Sequence, residues 1–514
     1  MPGNVLFVTL DQYRGDSLSA LGHPVVKTPG LDRLAAKGVA FANHWANTAP
    51  CGPSRASLYT GMYLLHHRCV RNGTPLDARF TNVALEARRA GYDPVLFGYT
   101  DTTVDPRTVA PDDPRAFTYE SVLPGFRPVV HDPFEAGGLE WGRWLAARGR
   151  DVPSNPRLLY QPDTSYPGAS EHASTWAPAL FAAEDSESAF MTEKVMEHLE
   201  RHGAEPFFVH VSYIRPHPPY RCPPGYHDLY AADELPGFVG HHTRALEAAA
   251  HPLARLLLER SVLAAPGDEA ERRQLRATYH GMQSEVDAQL GRLLDWLDTA
   301  GLAASTLVVV TSDHGEMGGD HWMVGKAGYF DESYHVPLVV RDPRPGADAG
   351  RGRVVSSFTE SVDVVPTILE WLGLDVPGQA DGWSLRWALE GAPEPSHWRR
   401  AAHVEWDFRD PASRRPEARL GIPSAHCVLN MVRSDHDKYV QFAAEGSVLP
   451  PLFFDLDADP QQRHDLHAEP GSAAACLEAA QRLLRWRMAN DDRTLANIVV
   501  TPDRGAVSTA DGWR

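Results

Sequence analysis

With 514 residues, 43% hydrophobic and 23% charged, the chain has the makeup of an ordinary globular protein, long enough for a large α/β domain with an appendage. Its 49 Lys and Arg against 67 Asp and Glu give a formal charge of −18, a field that repels nucleic acid and membrane headgroups but leaves room for a small anionic substrate held by local cations. Five scattered cysteines exclude a disulfide framework, no apolar run reaches the roughly 18 to 20 residues of a membrane span, and the N-terminus lacks a basic leader, so a cytoplasmic protein is expected.

In chain order, Val5 to Leu10 is a short apolar run that predicts a buried parallel strand delivering Asp11 and Gln12 at its C-terminal edge, where open α/β sheets place their ligands. Thr28-Pro29, then Leu31, Leu34 and Ala35, with Gly38 behind them, predict a helix capped at both ends. Cys51 opens Cys51-Gly52-Pro53-Ser54-Arg55, followed by Ala56 to Gly61. Three residues separate its Cys from its Arg, whereas tyrosine phosphatases need five, and no Cys-x-x-Cys pair supports redox or zinc chemistry.

Helix and strand patterns then alternate. A helix through Leu85 to Ala90 precedes a strand at Pro94 to Gly98, and further strands are expected at Phe207 to Val211 and Leu307 to Thr311. Leu275, Tyr279, Met282, Val286, Leu290, Leu293 and Leu297 recur at spacings of three and four, predicting one long amphipathic helix over 269–299. Stretches 105–192 and 221–268 lack clear periodicity and read as insertions bordering the active site, the second with a helix over 245–261. Past residue 394 the texture changes to short strands near 403–406, 428–432, 438–442 and 452–456 and a helix over 474–488. The fold class expected is therefore a large doubly wound mixed sheet flanked by helices over 1–393, a smaller C-terminal α+β subdomain with an antiparallel sheet over 394–494, and an irregular tail over 495–514.

If the strands end at one edge, Asp11, Asp313 and His314 converge on Cys51 with oxygen and nitrogen donors suited to one divalent cation. The alternative for each carboxylate is a helix cap. Together with Lys27 to Leu34, Thr311 to Glu316, Val362 to Leu369 and Phe454 to Pro460, the Cys51 run resembles the type I sulfatase family of the alkaline phosphatase superfamily over nearly the whole chain. Arg71 to Asp77, Gly98 to Thr103, Arg215 to Pro219 and Leu449 to Asp455 look closest to its branch of phosphonate monoester hydrolases and related arylsulfatases.

The resemblance implies an alkaline phosphatase-like fold and oxidation of Cys51 to formylglycine by a formylglycine-generating enzyme. Hydrolysis would then run through a covalent intermediate on the modified residue. It implies metal ligation by Asp11, Asp313, His314 and the modified Cys51, with Gln12 as a weaker candidate. Calcium sulfatases of the family carry Asp and Asn at the positions of Gln12 and His314. An amide and an imidazole in their place favour Mn²⁺ over Ca²⁺, Fe²⁺ or Zn²⁺.

Arg55, one helical turn after Cys51, is expected to hold the diol. Lys326, Asn72 and His217 are expected to bind a tetrahedral monoanion, with Lys326 or His217 protonating the leaving alcohol. Tyr99 and Asp101 are candidate substrate contacts, Asp101 standing where the phosphonate hydrolases have threonine. His66 and His67 are assigned to support and Trp141 to Trp144 to the core. The expected activity is arylsulfatase first and phosphonate monoester or phosphodiester hydrolysis second. The competing readings are a catalytically silent metal-binding homologue and a two-metal phosphotransferase with an unmodified nucleophile. A homodimer or homotetramer is expected.

Overall fold

Eight strands form the main sheet of the computed structural model, which describes residues 3–491 and 498–508. They are β1 (Asn4–Leu10), β2 (Val39–Phe41), β3 (Val95–Gly98), β4 (Arg127–His131), β5 (Phe208–Tyr213), β6 (Thr306–Thr311), β7 (Leu338–Arg341) and β8 (Arg353–Val355). Across the sheet they run β4, β3, β5, β1, β6, β7, β2, β8. Strand β7 is antiparallel to both neighbours, and every other pairing is parallel.

The period of two along β1 feeds two cores. Leu6, Val8 and Leu10 enter one with α1 (Pro29–Lys37), α3 (Glu187–His202) and α4 (Glu269–Thr299), through Leu31, Leu34, Phe190, Val195, Val286 and Leu290. Val5 and Phe7 enter the other with α2 (Cys51–Thr60) and α5 (Val364–Trp371), through Leu58, Tyr59, Val364 and Ile368. Helices thus cover both faces, and each fully buried Leu or Val contributes about 1.5–3 kcal/mol.

Register places the chemistry. Thr9 of β1 pairs with Ser212 of β5 on one side and Thr311 of β6 on the other. Asp11 and Asp313 each follow two residues later, so both leave the sheet at the same edge beside Ser212. At the end of β3 the chain turns through Gly98 at φ +103°, where a Cβ would lie 2.3 Å from the Ser212 carbonyl oxygen.

A second sheet, the antiparallel meander β9 (Ala401–Asp407), β10 (Val428–Ser434), β11 (Asp437–Phe442) and β12 (Leu452–Asp455), carries α6 (Ala473–Ala489) on one face. Its other face packs Val404, Trp406, Met431 and Phe454 against Leu253, Leu257, Met323 and Phe330. This docking makes residues 406–416 one wall of the cleft described below.

The structure differs from the expectations in several places. Strand β4 lies inside the stretch read as an insertion, and β2, β7 and β8 are three- or four-residue strands too short for their periodicity to register. The helix expected over 245–261 is two helices, Arg244–Ala250 and Pro252–Leu258. Pro252 cannot donate its N–H and forces His251 into extended backbone (φ −154°, ψ 143°), where the His251 ring caps Leu253 N–H. Ile498–Thr501 and Gly505–Ser508 pair as a hairpin rather than an irregular tail, and residues 495–497 and 509–514 lie outside the described residues. No described helix is long and apolar enough to cross a membrane.

Candidate active site

Cys51 is the first residue of α2 and is 6% exposed. One ligand atom from each of Asp11, Cys51, Asp313 and His314 lies within 4.8 Å of the others, all four residues being buried. His314 donates from Nδ1 to the Gly315 carbonyl (3.1 Å), which leaves Nε2 facing Cys51 Sγ at 3.1 Å. Burial pushes the imidazole pKa down, so His314 is neutral, the state a metal ligand needs. Burial likewise pushes the Cys51 thiol well up, against the pull of Lys326. An encoded thiol here is therefore a poor nucleophile, because the reactive form is the thiolate.

The donor set fits a divalent cation. Asp11 Oδ1 is buried and accepts no hydrogen bond. Burial alone would favour its protonated form, yet His217, Arg55, His314 and Lys326 together hold its pKa well below the usual carboxylate range. A charged, desolvated oxygen with no donor is costly unless a cation completes it.

Arg55 is fully buried beneath this cluster. Its Nη2 donates to Asp11 Oδ2 and its Nε to Asp313 Oδ2, both at 2.9 Å, and its Nη1 donates to Ser212 Oγ at 2.8 Å. The guanidinium also lies 4.5 Å from the centre of the Tyr99 ring, whose hydroxyl donates to Asp11 Oδ2. Arg55, expected to hold the diol, and Tyr99, expected to contact substrate, both bond the carboxylates in this structure, one buried guanidinium serving two anions.

Gln12, the weaker ligand candidate, turns its Oε1 to Lys326 Nζ, from which it accepts at 2.7 Å, and its Nε2 donates to Glu316. Its backbone sits at φ +67°, a strained conformation costing about 1–3 kcal/mol, held by Asp313 Oδ1 (3.1 Å) and by the Tyr279 hydroxyl (2.7 Å). Glu316 also accepts from Gly318 N and Gly325 N, both at 2.7 Å, and so fixes the loop carrying Lys326.

Lys326 Nζ reaches Cys51, and its pKa is raised because the thiol and the carboxylates outweigh burial. His217 donates from Nδ1 to the Pro218 carbonyl at 2.8 Å. Burial, reinforced by Lys326, lowers its pKa to about 3. Asn72 Oδ1 accepts from Gly52 N at 2.9 Å, tying it to the first turn of α2. Asp101 is 4% exposed at φ +51°, its Oδ1 has no hydrogen-bond partner, and burial raises its pKa to about 8 despite Arg55.

Gln12, Asn72, His217 and Lys326 form the base of a cleft of about 680 Å³ that opens between residues 253–263 and 406–416. His66 pairs with Asp381 (2.8 Å) and His67 with Ser57 (2.9 Å), both away from the cleft. Trp141 and Trp144 are core residues. Three participants went unread in the sequence. Ser212 is readable in principle, because it lies near the C-terminal end of a parallel strand beside the one that delivers Asp11. Glu316 closes the Thr311 to Glu316 run, and nothing in its spacing shows that it holds the Lys326 loop. The Tyr59–His210 pair, in which the Tyr59 hydroxyl accepts from Arg55 and donates to His210 Nε2 while His210 Nδ1 donates to the Phe7 carbonyl, has no signal beyond one buried strand histidine.

Residues 3–374 match the Sulfatase family profile, and residues 319–489 match the profile of the N-sulphoglucosamine sulphohydrolase C-terminal region. The chain is 41% identical to the multifunctional alkaline phosphatase superfamily protein PehA of Trinickia caryophylli, covering 97% of this chain and 98% of that one. It superimposes on the crystal structure of the phosphonate monoester hydrolase of Agrobacterium radiobacter with a TM-score of 0.91 and 43% identity, over 98% and 99% of the two chains. The arylsulfatase of Clostridium perfringens is 25% identical over 91% of this chain and 90% of its own.

Proposed function

The chain belongs to the sulfatase family, and from that premise we propose that it is a formylglycine- and metal-dependent hydrolase of monoanionic esters, acting first on phosphonate monoesters and phosphodiesters and second on aryl sulfates. The sequence reading puts sulfate first. Full-length identity of 41% and 43% to PehA and a phosphonate monoester hydrolase, against 25% to an arylsulfatase, supports the reverse order.

The observation that carries the hydrolase reading is the convergence of Asp11, Asp313, His314 and Lys326 on Cys51. Asp11, Asp313, His314 and the modified Cys51 would hold one cation, which supplies charge stabilisation and a lowered pKa for the formylglycine hydrate, the nucleophile at position 51. Two carboxylates and one imidazole suit Mn²⁺.

This chain's own groups do the rest. Lys326 and the Asn72 amide bind non-bridging oxygens of a tetrahedral anion at the base of the cleft. Resting His217 is neutral with its proton on Nδ1, turned to Pro218, so the leaving oxygen takes its proton from Lys326, while His217 orients the ester. Arg55 holds Asp11 and Asp313 in place, with Tyr99 as a second donor to Asp11. Gln12 and Glu316 aim Lys326.

The maturation partner in this reading is a formylglycine-generating enzyme. All five cysteines are free and buried, which supports a reducing cytoplasm, and the assembly proposed is a homodimer or homotetramer. The substrate order is tested by kcat/KM for an aryl phosphonate monoester against the matched aryl sulfate. A sulfate preference of several orders of magnitude overturns it.

A further inference from the structure

The cleft is far larger than a tetrahedral anion needs. Beyond its base, Leu253, Leu256, Leu257 and Val324 line an apolar stretch, and Val262, 71% exposed, stands at its lip. The mouth is different in charge from the rest of the molecule. Arg71, Arg260, Arg409 and Arg415 line it with Asp407 and Asp410, an excess of two positive charges on a chain carrying −18.

Two of the four arginines are neutralised: Arg71 pairs with Asp410 and Arg409 with Asp407. Arg260 and Arg415 have no carboxylate within 4.0 Å among the described residues, and Arg415 reaches only the Glu259 carbonyl at 3.4 Å. Burial lowers the pKa of Arg260, and Arg415 and Arg71 add to the effect, Asp410 opposing it. Crowded guanidinium groups that repel one another beside an apolar wall are completed by an anion.

Resting on the reading above, we propose that the outer half of the cleft is a subsite for a second anionic group on the leaving alcohol, joined to the ester through an apolar or aryl spacer and received by Arg260 and Arg415. The preferred substrates are thus diesters or phosphonate monoesters whose alcohol ends in a carboxylate or phosphate. The spacer lies on Leu253, Leu256 and Leu257. Lys326 and Asn72 serve the ester itself, so the two anions have separate receptors.

The test uses the enzyme as purified and two phenylphosphonate esters, of 4-(carboxymethyl)phenol and of its methyl ester, whose phenols are similar leaving groups. The carboxylate substrate should show kcat/KM about tenfold above the methyl ester at low salt, the size of one well-placed charge contact. That advantage should shrink in 0.5 M salt as screening shortens to a few ångströms. Arg260→Ala with Arg415→Ala should abolish it while leaving the methyl ester within twofold of wild type, which also shows that the variant folds. An equal or higher kcat/KM for the methyl ester, an advantage that survives in the double variant, or a preference for an ammonium-ended alcohol overturns the subsite. Should neither phosphonate react while an aryl sulfate does, the substrate order above falls, and the same pair made as sulfate monoesters decides the subsite by the same criteria.

Discussion

Arg55 Nη2 lies 2.9 Å from Asp11 Oδ2 with both side chains withdrawn from solvent. The same guanidinium reaches Asp313 from Nε, so one cation organises two of the three other donors around Cys51 from beneath. Asp11 keeps its Oδ1 unbonded for the cluster, whereas Asp313 Oδ1 accepts from the backbone N–H groups of Gln12 and His314.

Replacing Arg55 therefore acts on metal retention before chemistry. Removing one partner of a buried charge pair costs about 3–5 kcal/mol, and Arg55→Lys cannot restore two divergent hydrogen bonds. We expect both Arg55→Ala and Arg55→Lys to fall well below one bound metal per chain by elemental analysis, with lower thermal stability. Full occupancy in Arg55→Lys would show that the bridge is dispensable.

Oxidation of Cys51 to formylglycine lowers the mass of its tryptic peptide by about 18 Da, and hydration restores one water. Cys51→Ser offers a hydroxyl but no second oxygen to expel the product. It should fold, bind metal and lose turnover by about 10³-fold or more. An active sample in which the peptide carries only the thiol contradicts the mechanism.

Leaving-group dependence separates Lys326 from His217. A proton donor matters most when the departing alcohol is a poor leaving group. Lys326→Ala should cost about 10²–10⁴-fold with alkyl alcohols and much less with nitrophenols, while His217→Ala should cost a similar factor across the series. A steeper slope for His217→Ala exchanges the two roles.

Acid stability follows from His44, His67, His210 and His280, each buried and lowered to about 3 by desolvation. Below the unfolded pKa near 6.5 the unfolded chain takes up protons that the folded chain refuses, so stability is fully present above 6.5 and is lost as pH falls toward 3. Each such histidine costs about 1.4 kcal/mol per pH unit in that window. The urea midpoint should decline steeply from pH 6.5 to 5.5. A midpoint unchanged between pH 7.5 and 5.5 excludes this account.

How far the sequence discloses the molecule can be traced through particular residues. The central strands are legible because β1, β5 and β6 are short, mostly apolar and β-branched or aromatic runs, and α4 because its stripe persists over 31 residues. The short strands β2, β7 and β8 take their structure from their neighbours rather than from their own pattern. In the site, the spacing of Cys51, Asp11 and Asp313 was readable, since strand ends in register must meet. What Arg55, Tyr99 and Gln12 touch was not readable, because each has several acceptors within reach and only the assembled electrostatics selects among them. The wall at 406–416 depends on how the second sheet docks, a relationship between distant segments that no local pattern carries.

The burial of Arg55 also orders events during biosynthesis. Pro53 and Arg55, which the family resemblance implies the modifying enzyme would read along with Cys51, are enclosed once α2 seats against the main sheet, and Cys51 is covered with them. No enzyme could grip those five residues, 51–55, on the finished protein without prising out a helix that carries Leu58 and Tyr59 into the core. Maturation as proposed is thus a race on the nascent chain between an oxidase and the docking of ten residues. On that proposal a chain that folds first keeps a sealed thiol, and the active fraction of a preparation is expected to equal the modified fraction.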